Sequence, residues 1–373
     1  MAYVHLHPIK QFDFQINRIL TYGDKACNIE EIKSVVPNIK DLDSWYEEWY
    51  GLGKIAESEG RYLHAAYYYR LAEFFLKECP EKEDMYQKSI ENFHKVIDLD
   101  YSMRTEYIPY QNTTMKTFIF EAENSVGNLV IFGGYDSFIE EFYLYLKELS
   151  ASGYNIYLFE GPGQGSTLKN GLKFEPFWEK PTSAVLDYFG LDDVCIVGIS
   201  WGGYLALRAA AFDKRISKVV AYDVLYDGFD CMTNPLPSII KIFMKFLFAL
   251  KAKNIINLII QKFMDKKLII NWAVSHGQYI TGTDNPFDFY SHLKLHTLKG
   301  ITENVQCDVL LLAGEQDHYI PIKHFDILMN ELSKARTLTG KIFTVEEGGA
   351  EHCQVGNHTL AFDFILKWLH ELS

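Results

Sequence analysis

The run Gly198-Ile199-Ser200-Trp201-Gly202-Gly203 constrains this chain more than any other. Ahead of it DDVCIVGI is almost continuously apolar, as a strand buried on both faces is, and behind it ALRAAAF is rich in helix formers. A serine with a glycine two residues to either side, in that setting, predicts a tight strand-to-helix turn in which only glycine leaves room for neighbouring backbone. The turn lifts the Ser200 hydroxyl to the C-terminal edge of a sheet, where a helix N-terminus favours developing negative charge. An ordinary βα turn also accepts a serine, so the reading depends on partners elsewhere in the chain.

From about Met115, short β-rich runs alternate with helical stretches: KTFIFEA, NLVIFGG, a helix over Ile139 to Leu149, YNIYLFE, a helix before Phe189, DDVCIVGI, a helix from Gly203, and KVVAYD. Such alternation predicts a mostly parallel, doubly wound α/β sheet with helices on both faces. After Asp223 it stops for roughly seventy residues of helical pattern, then resumes with QCDVLLLAG, a helix near Phe325 to Leu332, KIFTVEE and a last helix over Leu360 to Leu369. An insertion between two strands of one sheet is a usual place for a lid. Upstream, Leu42 to Leu99 repeats its apolar residues at three- and four-residue steps, with a break at Pro80. Gly60, Ala65 and Ala72 suggest a tetratricopeptide repeat, but no second copy follows at the required period. The expected partition is a helical region over 1–112, core over 113–225, a helical lid over 226–300, and core again over 301–373.

A hydroxyl needs a base within reach, and in this kind of fold the acid and the histidine follow the serine in the chain. LLLAGEQDHYIP places Asp317 just past a strand, and KIFTVEEGGAEHCQVGN places His352 in the loop after the next one. Glu315 competes with Asp317 as the acid, His318 stands beside it, and His358, which suits the start of the terminal helix, competes with His352. An oxyanion hole needs two backbone N–H groups. The candidates are Trp201, after the nucleophile, and the Gly133-Gly134-Tyr135 turn after NLVIF, with Tyr135 preferred over Gly134 as donor. The glycine-rich EGPGQG over 160–165 lacks both the GK[ST] ending of a P-loop and dinucleotide-fold spacing, and reads as a tight structural loop.

A net charge of −13, with no cluster of Lys and Arg noted, argues against nucleic acid or an anionic membrane as partner. The six scattered cysteines contain no CxxC pair, so neither a disulfide framework nor a metal site is expected, and no cofactor; a reducing cytoplasm fits. The N-terminal MAYVHLHPIKQFDFQINRIL does not read as a secretory signal. The most apolar stretch, Leu236 to Leu250, is interrupted by Lys241 and Lys245 and is too short to span a bilayer; it reads as an amphipathic helix that covers either the pocket or a second subunit.

The segments SWYEEWYGLGKIAESEGRYLHAAYYYRLAEFF, GGYDSFIEEFY, EGPGQG, GISWGGYLALRAA, LLAGEQDHYIP and EEGGAEHCQ together resemble α/β hydrolases that carry a helical N-terminal region. This group includes 2,6-dihydroxypseudooxynicotine hydrolase, fermentation-respiration switch proteins, fungal polyketide-shortening hydrolases and bacterial acylaminoacyl-peptidase-like proteins. The resemblance implies an α/β-hydrolase fold, a triad of Ser200, Asp317 and His352, and a pocket closed by the N-terminal helices and the 226–300 insertion. It implies hydrolysis of an ester, amide or short peptide-like substrate through an acyl-enzyme. Some members cleave a C–C bond beside a ketone with an extra acid after the strand that follows the nucleophile helix; Asp223, Asp227 and Asp230 stand in that region. Tyr67, Tyr68, Tyr69, Phe74 and Phe75 would line a pocket for a flat ketone or else form core. A regulatory protein on a hydrolase scaffold is the third reading.

Overall fold

A computed structural model describes residues 3–372. The chain opens with α1 (Lys10–Leu20), α2 (Ile29–Val35), α3 (Leu42–Ser58), α4 (Tyr62–Phe74) and α5 (Pro80–Ile97). The starts of α3 and α5 have local causes. Asp41 and Ser44 form a reciprocal capping box at α3, and Pro80 opens α5, where a missing N–H costs nothing. Helix α1 lies upstream of the periodic stretch over 42–99, inside the region expected to be helical. Phe12, Ile16 and Ile19 fall on one face and are buried, with Phe12 stacked on Trp45 of α3 at 4.7 Å.

The sheet follows as β1 (Arg104–Tyr110), β2 (Thr113–Phe120), β3 (Asn128–Phe132), α6 (Tyr143–Leu149), β4 (Asn155–Phe159), α7 (Gly165–Lys169), α8 (Glu179–Phe189), β5 (Val194–Ile199), α9 (Gly202–Phe212) and β6 (Ile216–Tyr222). A helical insertion comes next: α10 (Gly228–Thr233), α11 (Ser238–Ala249), α12 (Lys253–Met264), α13 (Leu268–Thr281) and α14 (Pro286–Leu293). Then β7 (Asp308–Gly314), α15 (Lys323–Glu331), β8 (Thr337–Phe343) and α16 (His358–Glu371) complete the chain. The strand order is β1-β2-β4-β3-β5-β6-β7-β8, antiparallel through β1, β2 and β4 and parallel from β4 onward. This is the fold class the sequence implies.

One boundary changes. Strand β1 lies inside the stretch read as helical over 1–112, and it pairs with β2 along its whole length, so the helical region ends before Arg104. An edge strand carries little apolar signal: only Ile108 of β1 is buried, and Pro109 is tolerated because one side of the strand has no neighbouring strand among the described residues. Strands β5 and β7 are buried at every residue, as central parallel strands are. Their C-terminal ends, with those of β3 and β6, form the edge on which the site is built.

Candidate active site

Ser200 follows β5 directly and has φ of +63°, a left-handed conformation that a non-glycine residue adopts only when its surroundings impose it. Its N–H donates to Tyr222 O at the end of β6, at 2.5 Å, which pins the turn to the neighbouring strand. The glycine at 198 is obligatory: a Cβ there would lie 1.9 Å from Gly202 O.

His352 sits in a short 3-10 turn after β8 and brings its two ring nitrogens to different partners. Nε2 is 2.8 Å from Ser200 Oγ, and Nδ1 is 2.7 Å from Asp317 Oδ2. The other Asp317 oxygen accepts the N–H groups of Tyr319 (2.7 Å) and Ile320 (2.9 Å), so the carboxylate is held on both sides. Burial disfavours its charge, but His352 more than compensates and keeps the Asp317 pKa below the usual carboxylate value. For His352, burial opposes the imidazolium, whereas Asp317 and then Cys353 and Asp223 favour it, and the pKa ends well above the ordinary histidine value.

A second carboxylate reaches the same nitrogen. Asp223, fully buried just past β6, places Oδ2 3.2 Å from His352 Nδ1 and accepts the Cys353 N–H at 2.8 Å, while its Oδ1 has no hydrogen-bond partner among the described residues. Burial and the nearby Asp317 push its pKa up to about 7. The other two acids in that stretch lie elsewhere. Asp227 caps α10, and Asp230 pairs with Lys323 (2.5 Å) and His324 (3.1 Å). Asp223 follows its strand directly, as Ser200 follows β5, and this strand-end placement was the signal that singles it out.

The competing residues also have defined places. Glu315 is exposed and accepts the Val345 N–H at 2.7 Å; His358 is the first residue of α16, and burial and Arg18 pull its pKa down to about 3. His318 stands in the cavity wall beside the ring of Phe14, at 4.8 Å.

The oxyanion candidates meet as expected, with one change of role. The Gly134 N–H already donates to Ser137 Oγ at 2.9 Å, so Gly134 contributes space instead of a donor: a Cβ on it would stand 2.6 Å from Trp201 N. No backbone acceptor among the described residues takes the N–H of Tyr135 or Trp201. Four parts of the chain hold this turn. Gln164 of EGPGQG donates to Gly133 O (2.8 Å) and Gly134 O (3.0 Å) while accepting the Gly161 N–H (3.1 Å), a specific role for what the sequence predicts as a tight structural loop. From α13, Ala273 O accepts the Tyr135 hydroxyl at 2.6 Å, and His276 Nε2 donates to Tyr135 O at 3.0 Å. Burial and Lys82 lower the His276 pKa to about 4, so that ring is neutral. From α1 and α4, Arg18 pairs with Asp136 and Glu141, each at 2.5 Å, and Arg70 donates to Asp136 O at 2.7 Å.

A cavity opens at Ser200 between these parts. Its wall includes Phe14 of α1, Tyr135, Trp201, Ile270 and Trp272 of α13, and Tyr319, so it is largely aromatic and apolar. The insertion and the N-terminal helices therefore both bound it, but the latter through α1. Tyr67, Tyr68, Tyr69, Phe74 and Phe75 lie outside the wall and are buried as core, with Phe74 stacked behind Trp272 at 4.9 Å. Among the described residues, the grouping with ligand atoms close enough for a metal is Asp223, His352 and Cys353. Both His352 nitrogens already have partners there, so it reads as part of the proton-transfer chain.

Residues 131–358 match the model of the alpha/beta hydrolase family. The chain is 28% identical to hydrolase acrC of Aspergillus aculeatus, over 98% of this chain and 97% of that one. It is 26% identical to 20-hydroxy-prefusarin hydrolase FUS2 of Gibberella moniliformis, over 96% and 95%. Among solved structures, 2,6-dihydroxy-pseudo-oxynicotine hydrolase superposes with a TM-score of 0.70 at 16% identity, over 95% of each chain. AbyA5 superposes with a TM-score of 0.71 at 17% identity, over 97% of this chain and 95% of the other.

Proposed function

From a chain that belongs to the alpha/beta hydrolase family, we propose a serine hydrolase that cleaves an ester, amide or acyl-peptide bond through an acyl-enzyme on Ser200. The observation that carries this reading is the continuous chain of contacts from Ser200 Oγ through His352 to Asp317, at 2.8 and 2.7 Å. In the proposed cycle Ser200 Oγ attacks the carbonyl carbon as His352 Nε2 takes its proton. Negative charge developing on the carbonyl oxygen is met by the N–H groups of Trp201 and Tyr135. Asp317 holds the Nδ1–H tautomer and stabilises the imidazolium, which then protonates the leaving group; water activated by His352 releases the acid. The aromatic wall suits an apolar acyl group or ring system, which loses contact with water on entering.

Asp223 favours a second reading, hydrolysis of a C–C bond beside a ketone. The resemblance implies that some relatives use an extra acid after the strand following the nucleophile helix, and Asp223 occupies such a place next to His352. Two names among the similar proteins, 20-hydroxy-prefusarin hydrolase and 2,6-dihydroxy-pseudo-oxynicotine hydrolase, suggest large oxygenated organic molecules as the substrates to screen. Turnover of an aryl ester and of an aryl β-diketone by wild type and Ser200→Ala separates the readings. Ester cleavage alone, lost in the variant, supports the acyl-enzyme reading. Diketone cleavage at a comparable rate would replace it with the second, and undiminished turnover in Ser200→Ala would remove both.

A further inference from the structure

The outer face of the lid has a composition at odds with the rest of the chain. Along α11, Ile239, Ile242, Phe243 and Phe246 recur at three- and four-residue steps, and Leu250 continues the stripe just beyond the helix. These side chains are 45% to 73% exposed, an unusual state for five large apolar groups on one helical face. Ile255 and Leu258 of α12, 50% and 58% exposed, extend the surface. The buried side of α11, with Met244, Leu247 and Phe248, already packs into the lid, so the exposed stripe is not needed to hold the helix down.

Lysines accompany this stripe. Residues 236–267 contain Lys241, Lys245, Lys251, Lys253, Lys262, Lys266 and Lys267 against a single acid, Asp265. Lys253 pairs with Asp288 at 2.8 Å, but Lys245, Lys251, Lys262 and Lys266 make no ion pair among the described residues. On a chain of net charge −13 the hairpin is a positive island, which the composition-based expectation of no membrane partner averaged away.

We infer that the outer face of the α11–α12 hairpin docks on an anionic lipid surface. An exposed apolar stripe accompanied by lysines matches both halves of such a surface at once, with acyl chains taking the Ile and Phe side chains and headgroups taking the ammonium groups. A second copy of this chain fits less well, because a two-fold contact through the face would bring lysines against lysines. No helix among the described residues is long and apolar enough to cross a membrane, so the hairpin lies on the surface. Helix α13 follows directly and supplies Ile269, Ile270 and Trp272 to the cavity wall, so docking would bring the cover of the cavity to the interface where apolar molecules collect.

The test is sedimentation of the full chain with vesicles of phosphatidylcholine, with and without phosphatidylglycerol, at low and high salt. Light scattering would be run alongside, and circular dichroism would confirm that each variant is folded. Binding is expected only to the vesicles containing phosphatidylglycerol, weakening as salt rises. Each lysine near the surface contributes roughly fivefold in affinity, so Lys245→Glu with Lys262→Glu is expected to weaken binding by at least about 25-fold. Ile242→Ser with Phe246→Ser is expected to weaken it as well, with the lysines intact. Absence of binding, or equal binding to both vesicle types, would overturn the proposal. So would a concentration-dependent dimer abolished by Phe246→Ser, which would assign the face to a second copy. None of these readouts depends on which bond the enzyme cleaves.

Discussion

Asp223 Oδ2 stands 3.2 Å from His352 Nδ1, beside the 2.7 Å contact that Asp317 makes with the same nitrogen. Two buried carboxyl groups this close do not both ionise readily, and their environments push them apart: Asp317 is held low by His352, whereas burial and the Asp317 charge lift Asp223 to about 7. Asp317 is thus the carboxyl group that more readily carries the charge beside the imidazole, and Asp223 the one that more readily holds a proton.

The first expected outcome concerns pH. His352 acts as a base only when neutral, so kcat/KM rises as pH passes upward through its pKa. Asp223 is one of the groups that raise that pKa. Asp223→Asn should therefore move the acidic limb of the profile to lower pH, read from a kcat/KM series with an ester. A limb that stays in place would mean that the two groups are not coupled.

Asp317→Asn should cost activity, by at most about 10⁴-fold, the loss typical of a triad acid replaced by its amide. Because Asp223 remains within reach of Nδ1, the loss in the single variant should be smaller than in the variant carrying both changes. Comparing kcat for both single variants and the double one measures this directly. Equal rates in Asp317→Asn and the double variant would show that Asp223 gives no support.

Gln164→Leu removes the amide that holds Gly133 O and Gly134 O and leaves the Gly161 N–H unpaired. Displacing one oxyanion donor can cost about 10²–10³ in rate, and a loosened turn is expected to lose about tenfold or more in kcat with little change in KM. Steady-state kinetics on an ester reads both constants. A rise in KM at constant kcat would move Gln164 from oxyanion support to substrate binding.

Arg18→Met leaves Asp136 without its closest cation and Glu141 with only Arg70. Breaking one side of a buried ion pair typically costs about 3–5 kcal/mol. Urea unfolding should show a loss of that order, partly recovered when Asp136→Asn is added. No change in midpoint would mean that water reaches the network and replaces the arginine.

What could be read from the sequence follows from how local each signal is. Ser200, Asp317 and His352 each follow a strand or sit in the next loop, and buried parallel strands announce themselves as apolar runs such as VCIVGI and DVLLLAG. Strand β1 did not, because an exposed edge strand has neither the apolar run nor a clean alternation. Helix α1 carries a legible pattern in Phe12, Ile16 and Ile19, inside the 1–112 stretch expected to be helical, but nothing local marks Phe14 as part of the cavity wall. Asp223 is visible as the acid directly after its strand, ahead of Asp227 and Asp230, but its contact with His352 depends on the packing of β6 against the His352 turn, over a separation of 129 positions. Gln164 needed the same long-range information, since its partners lie on a different βα turn.

Intact-mass spectrometry after exposure to a fluorophosphonate tests the central proposal, an activated Ser200, most directly and without knowledge of the substrate. One adduct on wild type and none on Ser200→Ala is the expected result. An adduct that persists on Ser200→Ala, or no adduct on folded wild type, would contradict it.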